Sequence, residues 1–163
     1  MEQGKILVSD QEGNYLLKFK GDVRVTLCGS LNRYLETIFG DEAVKQVVVD
    51  MLEADCLDST TLGLLAKLGL HCQKAYGINV EIFCQNEGIL RTLDCMGFDE
   101  IFDIFEEVPK SQDNLHEIEE VSAEVEEIRR QVLEAHKLLV LLSPENQHEF
   151  TDLIRALESE NAG

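Results

Sequence analysis

The sequence predicts an α/β domain with a mixed sheet of about five strands and helices packed on it, followed by a C-terminal α-helical hairpin. Up to about residue 107, short apolar runs alternate with turn residues, and ten of the eleven glycines precede Pro109. Beyond that point the chain is rich in Glu, Leu and Val with helical periodicity. We therefore predict two units, 1–109 and 110–163, with the boundary between Pro109 and Asn114.

Two strands open the chain and are expected to form a β-hairpin. Residues 5–8 and 15–19 are apolar runs, and the segment between them carries Asp, Asn and Gly, which favour turns. Gly21 and Asp22 are predicted to end the second strand. A helix is expected over about 29–39, ended by Gly40.

The next strands and helices alternate. Residues 47–51 are apolar on both faces, as in a central buried strand, and a helix follows to about Tyr76. The remaining elements of this unit are predicted as a buried strand over 78–84, a short helix over 87–96 closed by Gly97, and an edge strand over 101–105. Strands separated by helices need crossover connections, so the sheet should be largely parallel beside the opening hairpin.

The C-terminal unit shows apolar residues at alternating spacings of three and four. They are Ile118, Val121, Val125, Ile128, Val132, Ala135, Leu139 and Leu142. This pattern predicts a long helix over about 115–142, either a coiled-coil seam or a packed helix. Ser143 suits an N-cap and Pro144 the first position of a second helix, over about 144–160. The hairpin either packs on the main domain or serves homodimerisation or partner binding, and the pattern leaves both open.

Composition argues against several classes of function. The net charge of −18 repels phosphate backbones and anionic lipid, so direct nucleic-acid binding is not expected. No apolar run approaches the roughly 18 residues of a membrane span, and the N-terminus does not read as a signal peptide, which predicts a cytoplasmic protein. The five cysteines lack paired spacing, so buried thiols in a reducing compartment are expected rather than disulfides or zinc.

The sequence contains none of the common catalytic motifs. There is no Walker loop, no His-Glu-x-x-His and no Gly-x-Ser-x-Gly. The four histidines, His71, His116, His136 and His148, are scattered and are expected on solvated helix surfaces rather than as metal ligands. Cys56 is the one cysteine near a helix start, but no His or Lys lies beside it in sequence to activate it. We therefore expect no catalytic residue, no metal and no cofactor.

One cluster stands out, residues 53–63, which joins the central strand to the following helix. It places Asp58 before three consecutive hydroxyl residues at the predicted helix start. In one interpretation Asp58 or Ser59 simply caps the helix. In the other, Ser59 accepts a phosphate, because the unpaired N–H groups of a helix N-terminus stabilise an anion. The phosphate would change the surface by about −1.5 to −2 charges.

The cluster Leu57-Asp58-Ser59-Thr60-Thr61-Leu62-Gly63 resembles the phosphorylation loop of the STAS family, Asp-Ser-Ser/Thr-Gly-Leu-Gly. This is the domain of anti-sigma factor antagonists and of sulfate-transporter tails. Residues 47–50, 21–23 and 95–98 are similar to the family's central strand, to the end of its second strand and to the turn after its third helix. The resemblance covers about residues 1–107 and implies a STAS-like fold.

The same resemblance implies a site. Ser59 matches the serine phosphorylated by a partner kinase, and the rest of the partner-binding loop would be Asp58, Thr60, Thr61, Leu62 and Gly63. Thr61 stands where the family usually has Gly, and a β-branched side chain there would narrow the approach of a partner.

The implied function is that of an anti-sigma factor antagonist. Unphosphorylated at Ser59, such a protein binds an anti-sigma factor or serine kinase of the partner-switching type and so regulates transcription. Phosphorylation releases the partner, and a metal-dependent protein phosphatase resets the switch. The alternatives are a non-catalytic STAS adaptor subunit of a membrane transport complex and, less favoured by the sequence, an enzyme that uses Cys56.

Overall fold

A mixed β-sheet carries the fold in the computed structural model, which describes residues 3–107 and 115–162. Within those residues the sheet has six strands, one more than the approximate number predicted. They are β1 (Lys5–Gln11), β2 (Asn14–Val23), β3 (Gln46–Leu57), β4 (Val80–Phe83), β5 (Phe102–Phe105) and β6 (His116–Glu117). Their order across the sheet is β5-β4-β3-β2-β1-β6.

The opening hairpin is confirmed. β1 and β2 pair antiparallel from Lys5–Lys20 to Gln11–Asn14. Glu12 (φ 53°) and Gly13 (φ 88°) both have left-handed backbone, which suits a two-residue hairpin turn because its twist matches that of the strands. The second strand does not end at Gly21 as predicted. Gly21 (φ 68°) instead accommodates an irregularity in the pairing with β3, and β2 continues to Val23.

The predicted crossover arrangement is also confirmed. β2, β3, β4 and β5 pair parallel, with β5 at one edge. The helices that follow β2, β3 and β4 are α1 (Cys28–Phe39), α2 (Ser59–Tyr76) and α3 (Glu87–Cys95). Gly40 and Gly77 cap α1 and α2 at their C-termini, and Gly97 follows α3 with left-handed φ, as predicted. β3 is longer than predicted and runs to Leu57, which fixes the residue before Asp58 in the sheet.

The C-terminal unit differs from its prediction at its start. Residues 115–124 were expected to be helical, but His116 and Glu117 form β6, which pairs with β1. Ile118 is buried next to β6, and its N–H donates to the Ile6 carbonyl oxygen at 2.9 Å. The edge of β1 satisfies backbone groups that a helix would otherwise satisfy internally. The three-residue spacing of Ile118 and Val121 does not distinguish a helix from the strand and extended segment that the structure has here.

The helical hairpin begins after this segment. It consists of α4 (Val125–Leu142) and α5 (Pro144–Ala162), with Pro144 as the first residue of α5. The Ser143 hydroxyl oxygen accepts from the Asn146 N–H at 3.2 Å, as expected for an N-cap. α4 packs along α2 and α5 packs on α4. The predicted boundary at 109–114 lies outside the described residues. None of the helices in the described part of the chain combines the length and apolar character of a bilayer span.

Candidate functional site at the start of helix α2

Asp58 organises the turn from β3 into α2. Its backbone is extended, and its Oδ1 accepts from the Thr61 N–H at 2.9 Å and from the Thr61 hydroxyl at 2.8 Å. Oδ2 accepts from the N–H of Val25, at the start of the 3₁₀ turn that precedes α1, at 2.7 Å. Of the two capping candidates in the sequence, the structure therefore selects Asp58. The hydroxyl of Ser59 is not used as the helix cap.

Ser59 is instead hydrogen-bonded to a histidine from the helical hairpin. Its Oγ lies 2.7 Å from Nε2 of His136. The other ring nitrogen, Nδ1, lies 2.7 Å from the Val132 carbonyl oxygen, which can only accept. In the neutral ring this assigns the proton to Nδ1, so that Nε2 accepts and the Ser59 hydroxyl donates. Ser59 is half-buried, whereas His136 is 1% exposed.

His136 thus contradicts its predicted position on a solvated helix surface. It lies beside Ala135 on the face of α4 that meets α2, and the Phe150 ring of α5 packs edge-on against it at 5.1 Å between ring centroids. No local feature of the sequence indicates this contact, because His136 is 77 positions from Ser59. The nearest hint is that Ala135, its neighbour, belongs to the apolar three-four pattern.

The rest of the predicted partner-binding loop lies under the surface. Thr60, Thr61 and Leu62 are each 5% exposed or less, and Gly63 is also buried. Thr61 is turned inward: its hydroxyl lies 2.8 Å from Asp58 Oδ1 and 3.4 Å from the Val23 carbonyl oxygen. Its β-branch therefore belongs to the interior of the domain and does not line the approach to Ser59.

Gly63 marks a close contact between α2 and α4. A Cβ atom at this position would overlap the Ala135 carbonyl oxygen and lie 2.5 Å from the Ala135 side chain. Side chains essentially never approach so closely, so glycine is required here for the two helices to pack at this separation. The contact lies one helical turn from Ser59 along α2.

A buried thiol completes the surroundings of the site. Cys28, the first residue of α1, is buried and its thiol donates to Gln131 Oε1 of α4 at 3.3 Å. Burial, and to a lesser degree the negative charge of Asp58, raise the pKa of this thiol. The thiol form is therefore favoured at neutral pH. Among residues 3–107 and 115–162, no cluster of three His, Cys, Asp or Glu side chains is arranged to hold a metal ion.

The family of the chain follows from its sequence. The model of the STAS domain matches residues 5–111. The chain belongs to the STAS domain family. The predicted fold class is thereby confirmed, with the loop at Asp58 and Ser59 inside the STAS match. No protein of curated function matches the chain in sequence.

Solved structures share the STAS fold at low sequence identity. An anti-sigma factor antagonist from Mycobacterium paratuberculosis is 19% identical, with a TM-score of 0.55, over 65% of this chain and 88% of that chain. The anti-sigma factor antagonist SpoIIAA in its unphosphorylated form is 10% identical, with a TM-score of 0.52, over 65% of this chain and 90% of that chain. Helices α4 and α5 lie beyond the STAS match, so His136 reaches the loop from outside the STAS domain.

Proposed function

We propose that this STAS protein is an anti-sigma factor antagonist, a protein-binding switch controlled by phosphorylation of Ser59. Unphosphorylated, it sequesters an anti-sigma factor or serine kinase and so regulates transcription. The observation that carries the proposal is the placement of Ser59, which is half-buried at the first position of α2 while Asp58 provides the cap. Family membership and two STAS-fold structures of named anti-sigma factor antagonists support it.

The capping arrangement explains how a phosphate could be added without loss of the fold. Three hydrogen bonds of the turn go to the Asp58 carboxylate, and none of them requires the Ser59 hydroxyl. The first N–H groups of α2 carry partial positive charge and favour an anion at this end. Phosphorylation would therefore leave the Asp58 cap intact and act on what surrounds the Ser59 hydroxyl: the His136 ring, 2.7 Å away, and the surface presented to a partner.

That effect is electrostatic. A phosphoserine adds about −1.5 to −2 charges, and a partner that covers Ser59 must remove this charge from water. An unpaired charge in an interface costs several kcal/mol, and about 1.4 kcal/mol corresponds to a tenfold change in affinity. Phosphorylation would thus release the partner, and a metal-dependent phosphatase would restore binding.

The decisive experiment compares Ser59→Ala and Ser59→Asp in binding to a purified serine kinase of the partner-switching type from the same cell, measured by titration calorimetry. We expect Ser59→Ala to retain binding and Ser59→Asp to weaken it by about a hundredfold. Ser122→Asp, the same change at an exposed serine outside the loop, is the matched control and should bind as the unmodified protein does.

The acceptor is identified separately. After incubation of the unmodified protein with the kinase and ATP, fragmentation mass spectrometry should place the phosphate on Ser59 and not on Thr60, which is 5% exposed. Equal affinities of the Ala and Asp variants, or a phosphate on another residue, would contradict the proposal.

A further inference from the structure

We propose that the hairpin α4–α5 masks the Ser59 loop: α4 occupies the face of the STAS domain that a partner must reach, and Ser59 is presented only when α4 moves off α2. The identity of the partner rests on the proposed function, but the contact itself does not. The contact is defined by the residues of α4 that pack against the STAS domain.

The contact is centred on the site. His136 Nε2 lies 2.7 Å from Ser59 Oγ, and the ring is 1% exposed. One turn further along α2, Ala135 lies against Gly63 with no room for a side chain between them. Phosphoryl transfer requires the donor phosphate about 3–3.5 Å from the acceptor oxygen and in line with it. The ring of His136 occupies one direction of approach to that oxygen. Its Nε2 also accepts the hydrogen bond that the Ser59 hydroxyl donates.

Two further contacts extend the covered face to either side. The Cys28 thiol of α1 donates to Gln131, which is 5% exposed, and Lys67 of α2 forms an ion pair with Glu134 at 2.8 Å. α4 therefore packs over the start of α1 and the first half of α2. Its side chains near Ser59 are polar or small, whereas Leu139, further along α4, is fully buried in the hydrophobic core. A kinase or anti-sigma factor that binds the Ser59 loop would have to take the place of this helix.

The polar part of the contact, around Ser59, suits displacement. Its hydrogen bonds can be exchanged for bonds to water or to a partner at small net cost. The Lys67–Glu134 pair is partly solvated, which limits its contribution. The segment from β6 to α4 has no regular secondary structure over residues 118–124, so α4 can move without breaking a strand or helix that spans the connection.

The test measures access to position 59 directly, with a thiol reagent in place of a partner. In a Ser59→Cys background, N-ethylmaleimide labelling at position 59 is followed by peptide fragmentation mass spectrometry, which separates it from the half-buried Cys56 three positions away and from the exposed Cys95. Two variants are designed to displace α4 from α2, one by a substitution on each helix. Gly63→Ala creates the clash from α2 while it favours that helix, and Ala135→Leu creates it from α4.

We expect both variants to accelerate labelling at position 59 by about tenfold or more, because the clash shifts the equilibrium toward the displaced hairpin. The matched controls should leave the rate unchanged. Val125→Leu introduces leucine at an exposed position of α4, and Gly40→Ala adds a Cβ at an exposed site with φ −83°, where it would lie 3.4 Å from the Glu36 carbonyl oxygen. If Ala135→Leu fails to fold, Gly63→Ala decides alone. Equal rates in test and control proteins would overturn the mask.

A second experiment measures whether displacement of α4 changes the rate of phosphorylation at Ser59. With Ser59 in place, the Ala135→Leu protein should be phosphorylated at Ser59 about tenfold faster than the unmodified chain by the purified serine kinase, and the Val125→Leu protein should not. Slower phosphorylation of Ala135→Leu would overturn the proposal, because α4 would then assist the kinase. Phosphorylation of none of these proteins would contradict the proposed function, while the labelling rates would still decide the mask.

Discussion

Asp58 is the residue on which the local geometry of the site depends most. Its carboxylate joins the end of β3, the first turn of α2 and the 3₁₀ turn before α1 through bonds to Thr61 and Val25. The two oxygens therefore do different things: Oδ1 caps α2, and Oδ2 holds the neighbouring segment in place. Ser59 is presented at a fixed position because its preceding residue is held on both sides.

Asp58→Ala should destabilise the protein more than an ordinary cap deletion. Loss of a cap costs about 1 kcal/mol, and the Val25 N–H also loses its acceptor, so we expect about 2 kcal/mol in total. Asp58→Asn keeps an oxygen for Thr61 but not a second acceptor for Val25, and should fall between. Urea unfolding measures the difference. Asp55→Ala, at an exposed position near the end of β3, is the matched control, and an Asp58→Ala midpoint equal to that of the control would contradict the assigned role.

At the scale of the elements, the sequence predicts the helix ends that depend on interactions between neighbouring residues. α2 begins after Asp58 and ends at Gly77, and α3 ends before Gly97, because capping side chains and left-handed glycines act within a few residues. The predicted start of the long helix was wrong because residues 116–117 pair with β1 as strand β6, and such pairing between distant segments leaves no local pattern in the sequence. The Ser59–His136 hydrogen bond is hidden for the same reason. The loop itself was found by motif, and its geometry required the structure.

The packing of the hairpin on the STAS domain depends on Asn146, near the start of α5. This side chain is 3% exposed, and its Nδ2 donates to the carbonyl oxygens of Leu139 in α4, at 2.7 Å, and of Met96 after α3, at 2.9 Å. One amide thus connects the two helices of the hairpin to the STAS domain, at a point away from Ser59.

Asn146→Ala should loosen the hairpin selectively. Two carbonyls lose a donor, which costs about 1–3 kcal/mol for each group that stays buried without a partner. We expect amide hydrogen exchange in α4 and α5 to accelerate more than exchange in β3, since the central strand takes no part in these two bonds. Gln147→Ala, at the exposed neighbouring position, should leave exchange unchanged. Uniform acceleration in β3 and in the hairpin would show that the hairpin does not open separately.

At the scale of the whole molecule, the dominant feature is the charge of −18 on 163 residues. Acids outnumber bases 32 to 14, so most carboxylates cannot be matched by a cation of this chain. Like charges on a compact surface repel one another and favour the expanded chain. The same field would attract a basic partner. Glu126 and Glu127 in the first turn of α4 add little to this field, because they form ion pairs with Arg129 and Arg130.

Salt should therefore stabilise this protein. Raising sodium chloride from about 0.05 M to about 0.5 M shortens the screening length to well below 10 Å, which weakens repulsion between exposed carboxylates more than it weakens contacts in the core. We expect Tm to rise over this range. A variant with glutamine at four exposed acids, Glu119, Glu120, Glu145 and Glu149, should start from a higher Tm at low salt and respond less, because part of the repulsion is already gone. Calorimetric melting of both proteins at each salt concentration measures the two slopes. A Tm that falls with salt would mean that the attractive pairs, such as Lys18 with Glu53 and Lys67 with Glu134, outweigh the repulsion.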